Sequence, residues 1–145
     1  MIREVSKNEI IEELAGELKD KLNAPSWAAY VKTGSGRERP PIREDWWNVR
    51  AASILLKINE NGPIGTSKLS LHYGNKKNRG MKPEEFRRGS RNIIRKILQQ
   101  LESAKLVEQG KSGNHIGRIV TKEGIKIVNE AEKKANKANK KEKGE

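Results

Sequence analysis

The sequence contains no cysteine. That absence excludes disulfides, thiolate zinc sites and cysteine nucleophiles together. No stretch approaches the ~20 consecutive apolar residues that a membrane-spanning helix needs. The N-terminus lacks the short apolar segment of a secretory signal, so a cytoplasmic protein is expected by elimination. Apolar residues make up only 33% of the chain and aromatics 4%, which calls for a compact core under a strongly polar surface. His72 and His115 are the only histidines, and Asp20 and Asp45 the only aspartates. No Ser-His-Asp set, phosphate-cradling loop or metal-ligand cluster falls in a known motif. The expectation is a protein that is not an enzyme and takes no cofactor and no metal. There is no internal repeat.

Positive charge is plentiful. Lysine and arginine number 31 against 19 acidic residues, a formal net charge of +12. Such an excess repels itself unless a polyanion neutralises it. Nucleic acid is the first candidate and an anionic membrane the second, because the charges cluster along the chain. A chain of 145 residues suffices for one domain, burying roughly 70% of its extended surface. The expected organisation is a single domain over 1–145, with an ordered core over 5–135. From Lys133 onward there is lysine, alanine, asparagine and glutamate but no large apolar residue. Such a tract has nothing to bury, so residues 136–145 are expected to form a basic, flexible tail.

Ser6-Lys7-Asn8-Glu9 has the spacing of a capping box, with Val5 and Ile10 placed for a hydrophobic staple. Ile10, Ile11, Leu14, Leu18 and Leu22 then share one face, predicting a first helix that Pro25 stops near Asn23. Residues 23–44 read as irregular chain, with Trp27 pinning it to the core. Its basic residues Lys32, Arg37, Arg39 and Arg43 suit contact with phosphates. A second helix is predicted from an Asp45 cap to about Glu60, ended by Asn61-Gly62-Pro63. It is apolar nearly all round, which places it at the centre of the fold. Its one polar stripe is Arg50, Ser53 and Lys57. Arg50 reads equally as a buried residue satisfied by a carboxylate or as a group facing a ligand.

A short third helix ends at Gly74. The segment from 75 to 91 then carries seven positive residues against two negative ones and reads as a basic loop, with Phe86 anchoring a turn. Glycines 74, 80 and 89 would allow close backbone approach to a ligand, or simply mark turns. Ser90 caps a fourth helix with a stripe of Ile93, Ile94, Ile97, Leu98 and Leu101, and with Arg91, Arg95 and Gln99 on another face. A small hairpin over about 106–120 and a fifth helix capped by Thr121 follow.

Helix, short helix, helix, hairpin, helix is the order of a winged-helix domain. The expected class is mainly α, a winged-helix-like domain of about five helices around a central amphipathic helix, with one small β-hairpin. The fourth helix would stand where a recognition helix stands, its charges converging beside Arg50 and Lys57. The candidate nucleic-acid-binding residues are Lys32, Arg50, Lys57, Lys76, Lys77, Arg79, Arg87, Arg88, Arg91 and Arg95.

Asp45-Trp46-Trp47-Asn48-Val49-Arg50-Ala51-Ala52-Ser53-Ile54 resembles the central helix of the archaeal and eukaryotic small-subunit ribosomal protein S19e family. Trp27-Ala28, Val31-Lys32-Thr33-Gly34, the run from Tyr73 to Gly80, Arg88-Gly89-Ser90, the run from Leu98 to Glu102 and the run from Val120 to Gly124 continue the pattern in order. The resemblance spans about 5–135. It implies a structural constituent of the small ribosomal subunit that binds rRNA in the subunit head and contributes to subunit maturation. It implies Arg50, Lys76, Lys77 and Arg79 on the RNA-facing surface, with Arg88 and Arg91 by extension. Expected partners are small-subunit rRNA, other small-subunit proteins and assembly factors, with no membrane, and a monomer outside the ribosome. The competing reading is a DNA-binding winged-helix regulator, which would normally need a dimer interface to read paired half-sites.

Overall fold

The computed structural model describes residues 5–142, with side chains described as far as residue 138. The elements run α1 (Lys7–Leu18), a 3-10 turn (Ser26–Ala29), α2 (Trp46–Asn61), α3 (Thr66–His72), β1 (Asn75–Arg79), β2 (Lys82–Arg87), α4 (Arg91–Ser103), β3 (Val107–Ser112), β4 (His115–Val120) and α5 (Lys122–Glu142). The class is mainly α, as the periodicities predict. One hydrophobic cluster draws on all five helices.

Helix α1 begins as its capping residue dictates, with Ser6 Oγ accepting from the Glu9 amide at 3.3 Å. It stops at Leu18, earlier than expected. The stop comes six residues before Ala24, the one residue that Pro25 restricts, and the chain leaves through a turn in which the Leu22 amide still bonds the Leu18 carbonyl at 3.0 Å. Helix α2 buries Trp47, Ala51, Ala52, Ile54, Leu55, Leu56 and Ile58, while Arg50, Ser53 and Lys57 stay half-buried. Asp45 occupies the N-cap position of α2 but makes no side-chain cap. Its carboxylate turns to Arg43 instead, a charge-assisted bond that outcompetes a neutral amide.

Trp27 does pin the irregular segment. Its ring meets Trp47 edge-on at 5.7 Å. The Trp47 indole N–H donates to Gln100 Oε1 at 2.9 Å, and Gln100 Nε2 donates to the Asn23 carbonyl at 2.7 Å, tying α2, α4 and the loop together. Helix α4 starts at Ser90, whose Oγ accepts from the Ile93 amide, and buries the predicted stripe. Hairpin β3–β4 forms in regular register from Val107 opposite Val120 to Ser112 opposite His115.

Two expectations need correction. The basic segment after α3 is not a loop but a second hairpin, β1–β2, with Lys76 opposite Phe86, Lys77 opposite Glu85 and Arg79 opposite Lys82. Its strands bury no face, so the apolar alternation that announces a strand is absent. Backbone pairing and a turn make it. Gly80 takes φ +72° in the turn, and its amide donates to Asn78 Oδ1 at 2.9 Å. The stretch after Lys133 does bury something. Ala135 is 2% exposed, one turn beyond the fully buried Ala131 on α5. Their small side chains suit close helix packing, and α5 lies against α1, where Lys134 Nζ meets Glu17 Oε1 at 2.6 Å. Thr121 begins α5 as predicted, its Oγ1 accepting from the Gly124 amide at 3.2 Å and donating to the Lys105 carbonyl at 2.7 Å.

Candidate nucleic-acid interface

The polar stripe of α2 converges on one aromatic ring. Arg50 Cζ lies 4.2 Å and Lys57 Nζ 5.2 Å from the centre of the Tyr73 ring. Ser53 Oγ and the Tyr73 hydroxyl share a 2.7 Å hydrogen bond. Tyr73 closes α3, so α3 delivers the ring to the stripe. Each cation over such a ring gains ~0.5–2 kcal/mol. Burial pushes the Arg50 pKa down; Tyr73 pushes it back up, and nearby Arg37 adds to the lowering. Arginine stays charged regardless. Burial likewise raises Tyr73, opposed by its Ser53 hydrogen bond and by Arg50, so the phenol stays neutral. No carboxylate satisfies Arg50 among the described residues. Sequence reasoning had no signal for Tyr73, because its partners lie one helix away.

The irregular segment is stitched to the root of hairpin β1–β2. The Ser90 amide donates to the Thr33 carbonyl and the Gly89 amide to the Ser70 carbonyl, both at 2.9 Å, and Gly34 bridges Gly89. Asn75 Nδ2 donates to the Gly36 carbonyl at 3.1 Å. Arg37 and Arg39 thereby share a depression with Asn75 and Lys76. Gly89 is required by this internal approach and not by a ligand. A Cβ there would sit 2.9 Å from the Tyr73 carbonyl oxygen, and one at Gly74 would sit 2.6 Å from that of Arg87.

The candidate cations divide by what they already touch. Arg79 donates to the Pro83 carbonyl at 2.8 Å and shares Glu85 with Arg87, at 3.3 and 3.0 Å. Arg95 donates to Asn92 Oδ1 at 2.9 Å. Arg91 and Arg95 flank a depression with Thr66 and Ser67 of α3. No hydrogen bond, ion pair or ring contact among the described residues joins them to Arg50 or Lys57. Arg43, expected to suit phosphate, is spent inside the protein. It donates to both Glu12 oxygens at 2.6 and 3.0 Å and to both Asp45 oxygens at 2.9 Å. These bonds hold Glu12 and Asp45 below the usual carboxylate range, against a smaller opposing effect of burial, and raise Arg43.

Further ion pairs occupy Glu17, Glu60 and Glu102 with Lys134, Lys7 and Arg118. Lys32, Arg50, Lys57, Lys76, Lys77, Arg88 and Arg91 have no carboxylate within salt-bridge distance among the described residues. The first, fourth, sixth and seventh of these are exposed, and the other three half-buried. This arrangement can bind anions along a surface.

Known proteins share the pattern. The profile of the family described as "Ribosomal protein S19e" matches residues 1–138. The chain is 47% identical to "Small ribosomal subunit protein eS19" of Aeropyrum pernix over 108 residues, covering 72% of this chain and 71% of that one. It is 41% identical to the protein of the same name from Haloarcula marismortui over 133 residues, covering 88% and 85%. It is 39% identical to "Small ribosomal subunit protein eS19G" of Ascaris suum over 127 residues, covering 86% and 84%.

Proposed function

Because this chain belongs to the ribosomal protein S19e family, we propose that it is a structural, non-enzymatic constituent of the small ribosomal subunit, anchored there by rRNA. The observation that carries the RNA part is the set of cations left without carboxylates. Six carboxylates, those of Glu12, Glu17, Asp45, Glu60, Glu85 and Glu102, pair with Lys7, Arg43, Arg79, Arg87, Arg118 and Lys134. Arg50 and Lys57 around Tyr73, and Lys76 and Lys77 on β1, form no ion pair among the described residues. No observation favours the DNA-binding alternative.

In this reading Arg50 and Lys57, steadied on Tyr73, and Lys76 and Lys77 on the hairpin grip phosphates. Lys32, Arg88, Arg91 and Arg95 extend the contact, and Arg79 and Arg87 add to it while bracing the hairpin through Glu85. Each cation displaces counterions from RNA, so affinity falls steeply with salt. A-form RNA hides its major groove, and shape and backbone contacts dominate over base reading. The finer assignments are binding in the subunit head, a part in subunit maturation, contact with other small-subunit proteins and assembly factors, a monomeric state outside the ribosome, and a cytoplasmic location.

The test is the triple change Lys57→Ala, Lys76→Ala and Lys77→Ala. Helical circular dichroism should be unchanged, since none of the three lies in the hydrophobic cluster. Affinity for small-subunit rRNA should drop, and the slope of log affinity against log salt should flatten by about 2–3, at ~0.7–0.9 per lost phosphate contact. An unchanged slope would remove these lysines from the interface.

A further inference from the structure

We propose that the cleft between α1, the 37–43 loop and α2 receives the base of one unpaired rRNA nucleotide, with Arg37, Arg39 and Arg50 holding its phosphate. This inference rests on the rRNA-binding reading above and gives it a second, chemically different contact.

The cleft has a volume of about 720 Å³, within the ~300–1,000 Å³ typical of sites for small ligands. Its walls are apolar: Ile11 on one side, and Trp46 and Val49 of α2 on the other. The loop closes it with Pro40, Pro41 and Ile42, and Ile42 is 101% exposed. A fully exposed isoleucine beside a half-buried tryptophan has no packing role in the free protein. Among the described residues Trp46 makes a single ring contact, edge-on to Trp47 at 5.4 Å.

The rim is cationic. Arg37, Arg39 and Arg50 line it, and none has a carboxylate within salt-bridge distance among the described residues. The one carboxylate lining the cleft, Glu12, is already neutralised by Arg43. The cleft is thus apolar inside and positive at its mouth. A nucleotide has the matching form, a flat apolar ring joined to an anion. Aromatic, proline and guanidinium surfaces accept any base by its face, and stacking needs no sequence code. An acidic peptide would satisfy the arginines but leave the apolar walls without a flat partner. Position favours RNA too. Arg50 and Ser53 line the cleft and also touch Tyr73, so the cleft is continuous with the Tyr73–Lys57 surface. RNA lying on that surface would need only to turn one unpaired base inward.

The experiment uses the full-length chain with three probes: small-subunit rRNA, a short oligoadenylate, and an RNA duplex with the same number of phosphates. Tryptophan emission reports on the cleft. Two variants obstruct or strip it without touching the core, Asn8→Leu, which adds bulk but no stacking face, and Ile42→Ser, since Asn8 and Ile42 are both exposed. Oligoadenylate should quench the emission and the duplex should not. Each variant should weaken oligoadenylate binding about tenfold, the order expected for one lost stacked base. Duplex affinity and the melting temperature should stay the same. If rRNA binds but both variants take oligoadenylate as the unmodified chain does, the cleft assignment fails alone. If an oligoglutamate peptide displaces oligoadenylate as well as free adenylate does, the site reads charge without the base and the assignment fails. If rRNA itself is not bound, the wider reading falls and this one with it.

Discussion

The two hairpins have the same antiparallel pairing and opposite relations to the rest of the molecule. Hairpin β3–β4 is part of the body. Val107 is 1% exposed opposite Val120, and Leu106 just before it is also buried. Ile64 and Arg118 exchange both backbone hydrogen bonds, at 3.2 and 2.9 Å, fixing β4 to the segment after α2. The Arg118 guanidinium reaches Glu102 of α4 at 3.2 Å. Hairpin β1–β2 has no such support along its length. Every residue of β2 is exposed, and Phe86 is its only large apolar side chain. A two-stranded hairpin alone is marginal in water. One hairpin is therefore held by the hydrophobic effect, and the other by its root and by whatever it binds.

The largest effect should come from the body. Leu106→Ala removes a buried anchor of β3–β4 and should cost ~2–5 kcal/mol, read as a lowered urea midpoint. A cost below about 1 kcal/mol would mean that β3–β4 is not integral to the core. The matching change in the other hairpin, Phe86→Ala, should cost no more than about 1 kcal/mol globally. Native-state hydrogen exchange sharpens the contrast. Amides of β1–β2 should exchange through local opening in both proteins, while those of β3–β4 exchange near the global unfolding energy. Equal protection of the two hairpins would erase the distinction. The smallest effect concerns the Arg43 clamp, which belongs to the body as β3–β4 does. Its carboxylates Glu12 and Asp45 are lowered in the folded state, chiefly by hydrogen bonds from Arg43. Their contribution is complete above the unfolded carboxylate range near pH 4 and is lost as pH falls through the depressed folded values. Arg43→Gln should therefore flatten the acid limb of the stability curve slightly, read as the urea midpoint against pH. An acid limb as steep as that of the unmodified chain would mean that the clamp adds nothing to the fold.

Much of this was readable from residues alone. The Ser6, Ser90 and Thr121 caps, the stop at Gly62 and the stripes of α2 and α4 are local signals, and each led to the correct element. Hairpin β1–β2 was not readable, because a strand pair with no buried face has no alternation to detect. Asn78-Arg79-Gly80 was the only hint, and a turn there is compatible with a loop. The candidate site was legible as a set of charges but not as a geometry. Lys57 and Arg50 were found by spacing on one helix, but Tyr73 was not. Arg37 and Arg39 were noted as phosphate-compatible, yet nothing in the sequence placed them beside Lys76 or at the mouth of a cleft.

The sequence by itself determined where the helices begin, which faces they bury, and that an excess of positive charge must be answered by an anion. Those properties depend on neighbours within a turn or two, or on no neighbour at all. Only the tertiary structure decided which cations are free. Arg43 and Arg50 are close in the chain and chemically identical, but folding brings Glu12 to one and Tyr73 to the other. A carboxylate satisfies a guanidinium inside the protein; an aromatic ring orients it and leaves its hydrogen-bond donors for another molecule.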